Sequence, residues 1–197
     1  LLANMSGFYA AYHGAEGLKK IATRVLKYRQ TLLLALKWCG FEVDEGEGFD
    51  TVRWKSALSL ADFNGRHEDG WNMVSLDECT TLNELHDILD TQLDFENKAD
   101  TIQHVLDTVG NYEWIGIPLR TKPWLTQEVF NIYQSETDMM RYIYQLCSKD
   151  YSLVNGMMPL GSCTMKLNAA SELMPVSWEQ FNNIHPFAPP GQSLGYE

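Results

Sequence analysis

The sequence predicts an α/β protein, with an α+β layer across residues 1–109. Three patterns carry that expectation. Leu18, Ile21, Val25, Leu32, Leu33 and Leu36 recur at helical spacing. Phe49 to Lys55 and Asn72 to Leu76 read as two strands. Leu82, Leu85, Ile88, Leu89 and Leu93 then recur at helical spacing again. Helix, strand, strand, helix makes one small layered unit.

In chain order, Leu1 to Tyr12 is apolar with small residues and reads as a buried helix, punctuated by Gly14 and Gly17. The next helix places Lys19, Lys20, Arg24 and Lys27 on its other faces and ends at Gly40. In the first strand Phe49, Thr51 and Arg53 alternate with Val52 and Trp54, the period of a half-buried strand. Thr81 and Glu84 form a capping-box pattern ahead of the second helix. Asp94 to Asp100 is an acidic, solvated stretch, and Ala99 to Val109 reads as one more short helix.

Gly110, Gly116 and Pro118 place a linker over residues 110–124. Ser135 is positioned to cap a helix over Met139, Tyr142, Ile143 and Leu146, with Glu136 and Asp138 favourably placed in its first turn. A polar motif, a short helix, a Ser177-Trp178-Glu179-Gln180 capping box and a Pro-rich tail follow. The expected division is 1–109, linker 110–124, then 125–197. Residues 15–95 should form the compact part and residues 150–197 an extended arm, since Pro159, Pro175, Pro186, Pro189 and Pro190 interrupt any apolar period there.

Composition narrows the function. The 197 residues carry a formal net charge of −11, which argues against a phosphate-backbone partner and an anionic membrane surface. The run Leu32-Leu33-Leu34-Ala35-Leu36 is too short to span a bilayer. A hydrophobic share of 45% and six Trp support a packed core. Cys39, Cys79, Cys147 and Cys163 are widely spaced without Cys-x-x-Cys, as in reduced thiols of a soluble intracellular protein. His67, His86 and His104 share no ligand spacing and suggest no metal.

The segment Met158-Pro159-Leu160-Gly161-Ser162-Cys163-Thr164-Met165-Lys166-Leu167-Asn168 is the most informative in the chain. Pro159 and Gly161 fix a turn that presents Ser162, Cys163, Thr164 and Lys166 together. Asn168 precedes Ala169, Ala170, Ser171, Glu172 and Leu173, which makes it a candidate N-cap. A polar loop entering a helix N-terminus suits an anionic group. The alternative is a tight turn whose hydroxyls satisfy their own backbone. A nucleophilic Cys163 would need a base, and His185 lies 22 positions away. Lys166 shows none of the desolvation or neighbouring cation that activates a Schiff-base lysine, so a carboxylate or phosphate contact, or surface packing, fits it better. His185 is held extended by Pro186 and either lines a cleft or bonds to backbone.

That segment resembles the Leu-Gly-Ser-Cys-Thr-Met-Lys-Leu-Asn motif of the P-protein family of the glycine cleavage system, the decarboxylating glycine dehydrogenases. The likeness continues through Ser171-Glu172-Leu173-Met174-Pro175 and Ile184-His185-Pro186-Phe187-Ala188-Pro189. Tyr12-His13-Gly14-Ala15-Glu16-Gly17-Leu18, Ser75-Leu76-Asp77-Glu78 and Tyr133-Gln134-Ser135-Glu136-Thr137 resemble further blocks in the same order. Ala15 stands where the family has Pro, Gln134 where a basic residue is common, and the stretch 56–72 is short.

The resemblance implies the small domain of a fold-type I pyridoxal-phosphate enzyme over 1–109, a linker, and the N-terminal arm of a second half. It implies pyridoxal 5'-phosphate as cofactor, glycine as substrate and the lipoylated H-protein as partner. It also implies a homodimer or a pseudo-dimer of halves, in the mitochondrial matrix or a bacterial cytoplasm. The family's Schiff-base lysine follows a His downstream of this motif. The sequence has no His-Lys pair and begins at Leu1, so it is expected to be an internal fragment with no catalytic residue of its own. Ser162, Cys163, Thr164, Lys166, Asn168 and His185 are the expected neighbours of substrate or cofactor, by resemblance. The alternative function is a non-catalytic dimerisation or binding module that retains the family's surface.

Overall fold

A computed structural model describes residues 2–58, 60, 63, 65–92, 103–104, 107–108, 120–150, 169–184, 188 and 190–196. The chain divides into two compact units, Leu1–Gln134 and Ser135–Glu197.

The first unit opens with a long helix, α1 (Leu2–Trp38), broken at Gly14, where φ is 60° and ψ −175°. The left-handed φ favours glycine there. A Cβ at Gly14 would also lie 2.6 Å from the Phe130 carbonyl oxygen and from Gln134 Nε2. Gly17, expected to interrupt the helix as well, lies inside it. The expectation of a buried N-terminal helix is corrected: Ala11 is buried, but Leu2, Met5, Tyr9 and Tyr12 are exposed. Apolar composition supports helix formation there without dictating burial, which holds as a rule in one direction only.

The helix ends as expected at Gly40. With φ at 87°, Gly40 donates its N–H to the Lys37 carbonyl, and Phe41 donates to the Leu36 carbonyl. These two bonds form a Schellman motif that satisfies two terminal carbonyls.

Three antiparallel strands follow, β1 (Thr51–Lys55), β2 (Arg66–Glu68) and β3 (Trp71–Ser75), in the order β1-β3-β2. Val52 pairs with Val74 and Trp54 with Asn72 across the β1–β3 ladder. The edge strand β2 was not expected. Its three residues are all exposed, so it shows no alternation. The readable signal was Asp69-Gly70, the two-residue turn with φ of 52° and 78° that joins β2 to β3.

Helix α2 (Leu82–Gln92) starts at the expected capping box. Thr81 N–H donates to Glu84 Oε2 at 2.6 Å, and Glu84 N–H donates to Thr81 Oγ1 at 3.3 Å. The core lies between one sheet face and the two helices. Leu32, Ala35 and Leu36 of α1, Val52, Trp54 and Val74 of the sheet, and Leu85, Ile88 and Leu89 of α2 build it, with Leu60 and Leu76 from the loops.

Two polar groups are fully integrated into this packing. Asn72 donates to the Leu58 carbonyl at 2.7 Å and to Gln92 Oε1 at 3.1 Å, while Trp54 Nε1 donates to the same Gln92 oxygen at 3.2 Å. Arg29 of α1 donates to the carbonyls of Thr51 and Gly46 at 3.0 and 2.8 Å, tying the loop before β1 to the helix. Buried donors that are paired in this way avoid the cost of desolvation without a partner. Residues 103–104 and 107–108 are helical, and the His104 ring stacks on Trp38 at 4.8 Å. A one-turn helix, α3 (Val129–Ile132), packs on α1.

The second unit begins with α4 (Glu136–Cys147). Ser135 caps it as expected: Asp138 N–H donates to Ser135 Oγ at 3.2 Å. Short turns follow, α5 (Ala170–Leu173), a 3-10 turn (Met174–Ser177), α6 (Glu179–Asn182) and 3-10 turns at Pro190–Gln192 and Leu194–Tyr196. Ala169 occupies the N-cap position of α5, and Glu172 accepts its N–H at 3.2 Å. The expected N-cap, Asn168, lies outside the described residues. Ser177 does not cap α6. Its hydroxyl donates to the Met174 carbonyl at 2.8 Å, closing the 3-10 turn, and Trp178 takes the cap position.

Candidate functional site

Parts of three sequence blocks singled out above are brought together in the first unit. His13 and Gly14 lie at the break in α1, with Phe130 and Gln134 against Gly14. The break leaves the His13 ring over Gly17, where an added Cβ would come within 3.0 Å of the His13 Cβ. Tyr9, one helical turn earlier, sets its ring 4.4 Å from that of His13, and Tyr12 meets the same ring edge-on at 5.1 Å. Spacings of four and one residues explain the first contact by helix geometry and the second by adjacency.

The loop from β3 to α2 supplies the third block. Asp77 folds it: Oδ1 accepts the N–H groups of Cys79 and Thr80 at 2.9 and 3.0 Å, while Asp77 N–H donates to Thr80 Oγ1 at 2.9 Å. Leu76 anchors the loop in the core, and Ser75 Oγ lies 2.8 Å from Thr51 Oγ1. Glu78 is thereby turned toward α1. Tyr9 Oη donates to Glu78 Oε1 at 3.4 Å, and the Arg24 guanidinium donates to the Glu78 carbonyl.

Burial raises the Tyr9 phenol above its ordinary value, and the Glu78 charge and hydrogen bond raise it further. Tyr9 is therefore a protonated donor at neutral pH, and its contact with Glu78 is a neutral-to-charged hydrogen bond. The arrangement joins two turns of α1 to the β3–α2 loop. Tyr9 was not singled out from the sequence, and Arg24 was read only as one of the basic residues on the other faces of the helix. The one available signal was the four-residue spacing of Tyr9 and His13.

Ser162, Cys163, Thr164, Lys166, Asn168 and His185 all lie outside the described residues. Among the described residues, no group of three or more His, Cys, Asp or Glu side chains is arranged to hold a metal. The described lysines do not fit a pyridoxal-phosphate anchor. Lys37 and Lys55 are exposed ion-pair partners of Glu45 and Glu42, and Lys19, Lys20, Lys122 and Lys149 are exposed. Lys27 is partly exposed. An anchoring lysine needs a desolvated position. No helix among the described residues is long and apolar enough to cross a membrane.

Comparison with known proteins shows what the chain is similar to. Residues 1–92 match the family model of the glycine cleavage system P-protein. Resemblance to glycine dehydrogenase (decarboxylating) then extends over the whole chain. The enzyme of that name from Parasynechococcus marenigrum (strain WH8102) is 46% identical over 213 aligned residues, covering 100% of this chain and 22% of the relative. Those from Vibrio parahaemolyticus serotype O3:K6 and Synechococcus sp. (strain RCC307) are 46% and 44% identical, again across 100% of this chain. The chain thus spans 21–22% of the length of these curated relatives.

Proposed function

We propose that this chain is a segment of a pyridoxal-phosphate-dependent glycine dehydrogenase (decarboxylating), the P-protein of the glycine cleavage system. The observation that carries the reading is the 46% identity to a glycine dehydrogenase along all of these residues. In this reading the joined enzyme releases CO2 from glycine. It passes the remaining aminomethyl group to the lipoyl arm of the H-protein. The cofactor lysine belongs to sequence other than these residues, since the family's lysine follows a His and these residues hold no His-Lys pair. Residues 1–109 are the small domain of a fold-type I unit, 110–124 the linker, and 125–197 the start of a second half. The enzyme is a soluble intracellular homodimer or a pseudo-dimer of its halves.

Within that enzyme, Ser162, Cys163 and Thr164 line the substrate region, with Lys166, Asn168 and His185 beside them. The chemistry of the set supports this: three hydrogen-bonding groups and a cation, in a turn fixed by Pro159 and Gly161, suit the carboxylate of a very small substrate. Isoleucine at 162 would fill space needed by glycine, while valine at 164 keeps the shape of threonine and removes its hydroxyl. Loss of one hydrogen bond to a charged group costs about 1.5–3 kcal/mol, roughly ten- to a hundred-fold in rate if it acts in the transition state. In the full-length enzyme carrying these residues, Ser162→Ile and Thr164→Val should lower glycine decarboxylation by that factor with little change in melting temperature. Normal turnover with a lowered melting temperature would move both residues out of the site and into the scaffold.

A further inference from the structure

The turn Asp69-Gly70 carries a chemical reactivity separate from glycine decarboxylation. Asp69 is the only aspartate in the sequence followed by glycine. Glycine has no side chain to hinder attack by its own backbone nitrogen on the preceding carboxyl group. The fold leaves this pair open. Asp69 is exposed at φ 52°, and among the described residues no hydrogen bond or ion pair holds its carboxylate. No atom lies within 4 Å of a Cβ built at Gly70. The turn is tied on one side by β2, an edge strand with three pairs to β3. So short a ladder opens locally at low cost, which gives the turn access to the geometry of attack.

We propose that Asp69-Gly70 is a site of spontaneous isoaspartate formation that loosens the β2–β3 hairpin as the protein ages. The Gly70 nitrogen bonds to the Asp69 side-chain carbonyl carbon, and one water leaves to close a five-membered imide. Water then adds back, and opening at the former main-chain carbonyl gives the β-linked product. The sequence ends with no net change in composition and no oxidant or co-reactant beyond water. One methylene has moved into the backbone.

That insertion falls in the two-residue turn that sets the register of β2 on β3. In this register His67 pairs with Asn72, with its Nδ1 2.7 Å from Asn72 Oδ1. Asn72 uses its amide hydrogens on Leu58 and Gln92, so its oxygen accepts from His67. A longer turn breaks this contact at the rim of the buried polar network.

The test incubates the full chain at neutral pH and physiological temperature. Isoaspartate is located by fragment-ion mass spectrometry, and amide exchange is followed at residues 66–73. Asp69→Gly serves as the control, since Gly-Gly suits the same turn and cannot form the imide. We expect isoaspartate at residue 69 to accumulate several-fold faster than at any other aspartate, and amide exchange at Arg66 and Met73, which face each other across the ladder, to rise in step. The variant should hold its exchange pattern with age. Asp69 remaining α-linked, or isomerising no faster than the other aspartates, would overturn the proposal. So would an unchanged exchange pattern in isomerised material.

Discussion

The sheet-and-helix core of the first unit and the turns of the second unit bury their apolar residues very differently. In the first, Leu32, Ala35, Leu36, Val52, Trp54 and Leu85 are completely covered. In the second, Met139 is the one buried hydrophobic among the described residues, while Met140, Tyr144, Met174, Val176, Trp178 and Phe181 are exposed. Their sequences are comparably apolar. The difference teaches that burial comes from an opposing layer. A strand pair with matched alternation and an amphipathic helix on one face supply that layer in the first unit. The described elements of the second unit, one twelve-residue helix and several one-turn helices interrupted by proline, set no such layer opposite one another.

The two tryptophans sharpen this contrast most. Trp54 is fully buried and donates to Gln92, so Trp54→Ala should cost about 3–5 kcal/mol, leaving a large cavity and an unpaired Gln92. Trp178 is 49% exposed, and Trp178→Ala should change stability by less than about 0.5 kcal/mol. Urea unfolding of the two variants measures both. Equal costs would break the comparison.

Two glycines make the next test. Gly14 and Gly40 both have left-handed φ, yet only Gly14 is crowded, with Phe130 and Gln134 at 2.6 Å from an added Cβ. Gly40→Ala should cost about 1–2 kcal/mol for conformation alone. Gly14→Ala should cost more, and it should loosen the contact of residues 130–134 with α1. Thermal unfolding of the pair, with proteolysis near residue 130 as a second readout, separates conformation from crowding.

Much of the first unit was legible because its signals are local and repetitive. The helical period of Leu18 to Leu36, the alternation around Val52 and Trp54, the Thr81–Glu84 box and the Gly40 stop all appear in the structure as read. Strand β2 was missed because an exposed three-residue edge carries no hydrophobic period, and only its turn announced it. The first turns of α1 were read as buried because composition reports what a segment could bury, not what lies opposite. Ser177 looked like a cap by spacing, but its hydroxyl bonds backward to Met174, a competition that short polar side chains offer wherever a turn precedes a helix. Tyr9 and Arg24 could not be paired with Glu78 from sequence, since their contacts bridge more than fifty positions. The motif around Ser162 was legible as chemistry and as family likeness, and its residues lie outside those described.

The smallest expected effect concerns the thiols. Cys39 is partly buried, and that burial raises its pKa above the ordinary thiol value, whereas Cys79 and Cys147 are exposed. Cys39 should therefore react with iodoacetamide more slowly than the other two. The linkage has a definite sign. A raised folded-state pKa contributes stability that is present below the unfolded thiol value and is lost as pH rises through the folded value. Melting temperature should fall at alkaline pH in the native chain, and Cys39→Ala should soften that fall slightly. A faster alkylation of Cys39 would contradict the burial.

The central claim is that this chain is a working segment of a decarboxylating glycine dehydrogenase, and a segment exchange tests it most directly. The matching stretch of the Vibrio parahaemolyticus enzyme, 46% identical, is replaced by these 197 residues, and exchange of labelled bicarbonate into glycine is measured with lipoylated H-protein. The account predicts a folded chimera that keeps exchange activity and loses most of it on Ser162→Ile. A folded chimera that binds pyridoxal phosphate yet shows no exchange would contradict it.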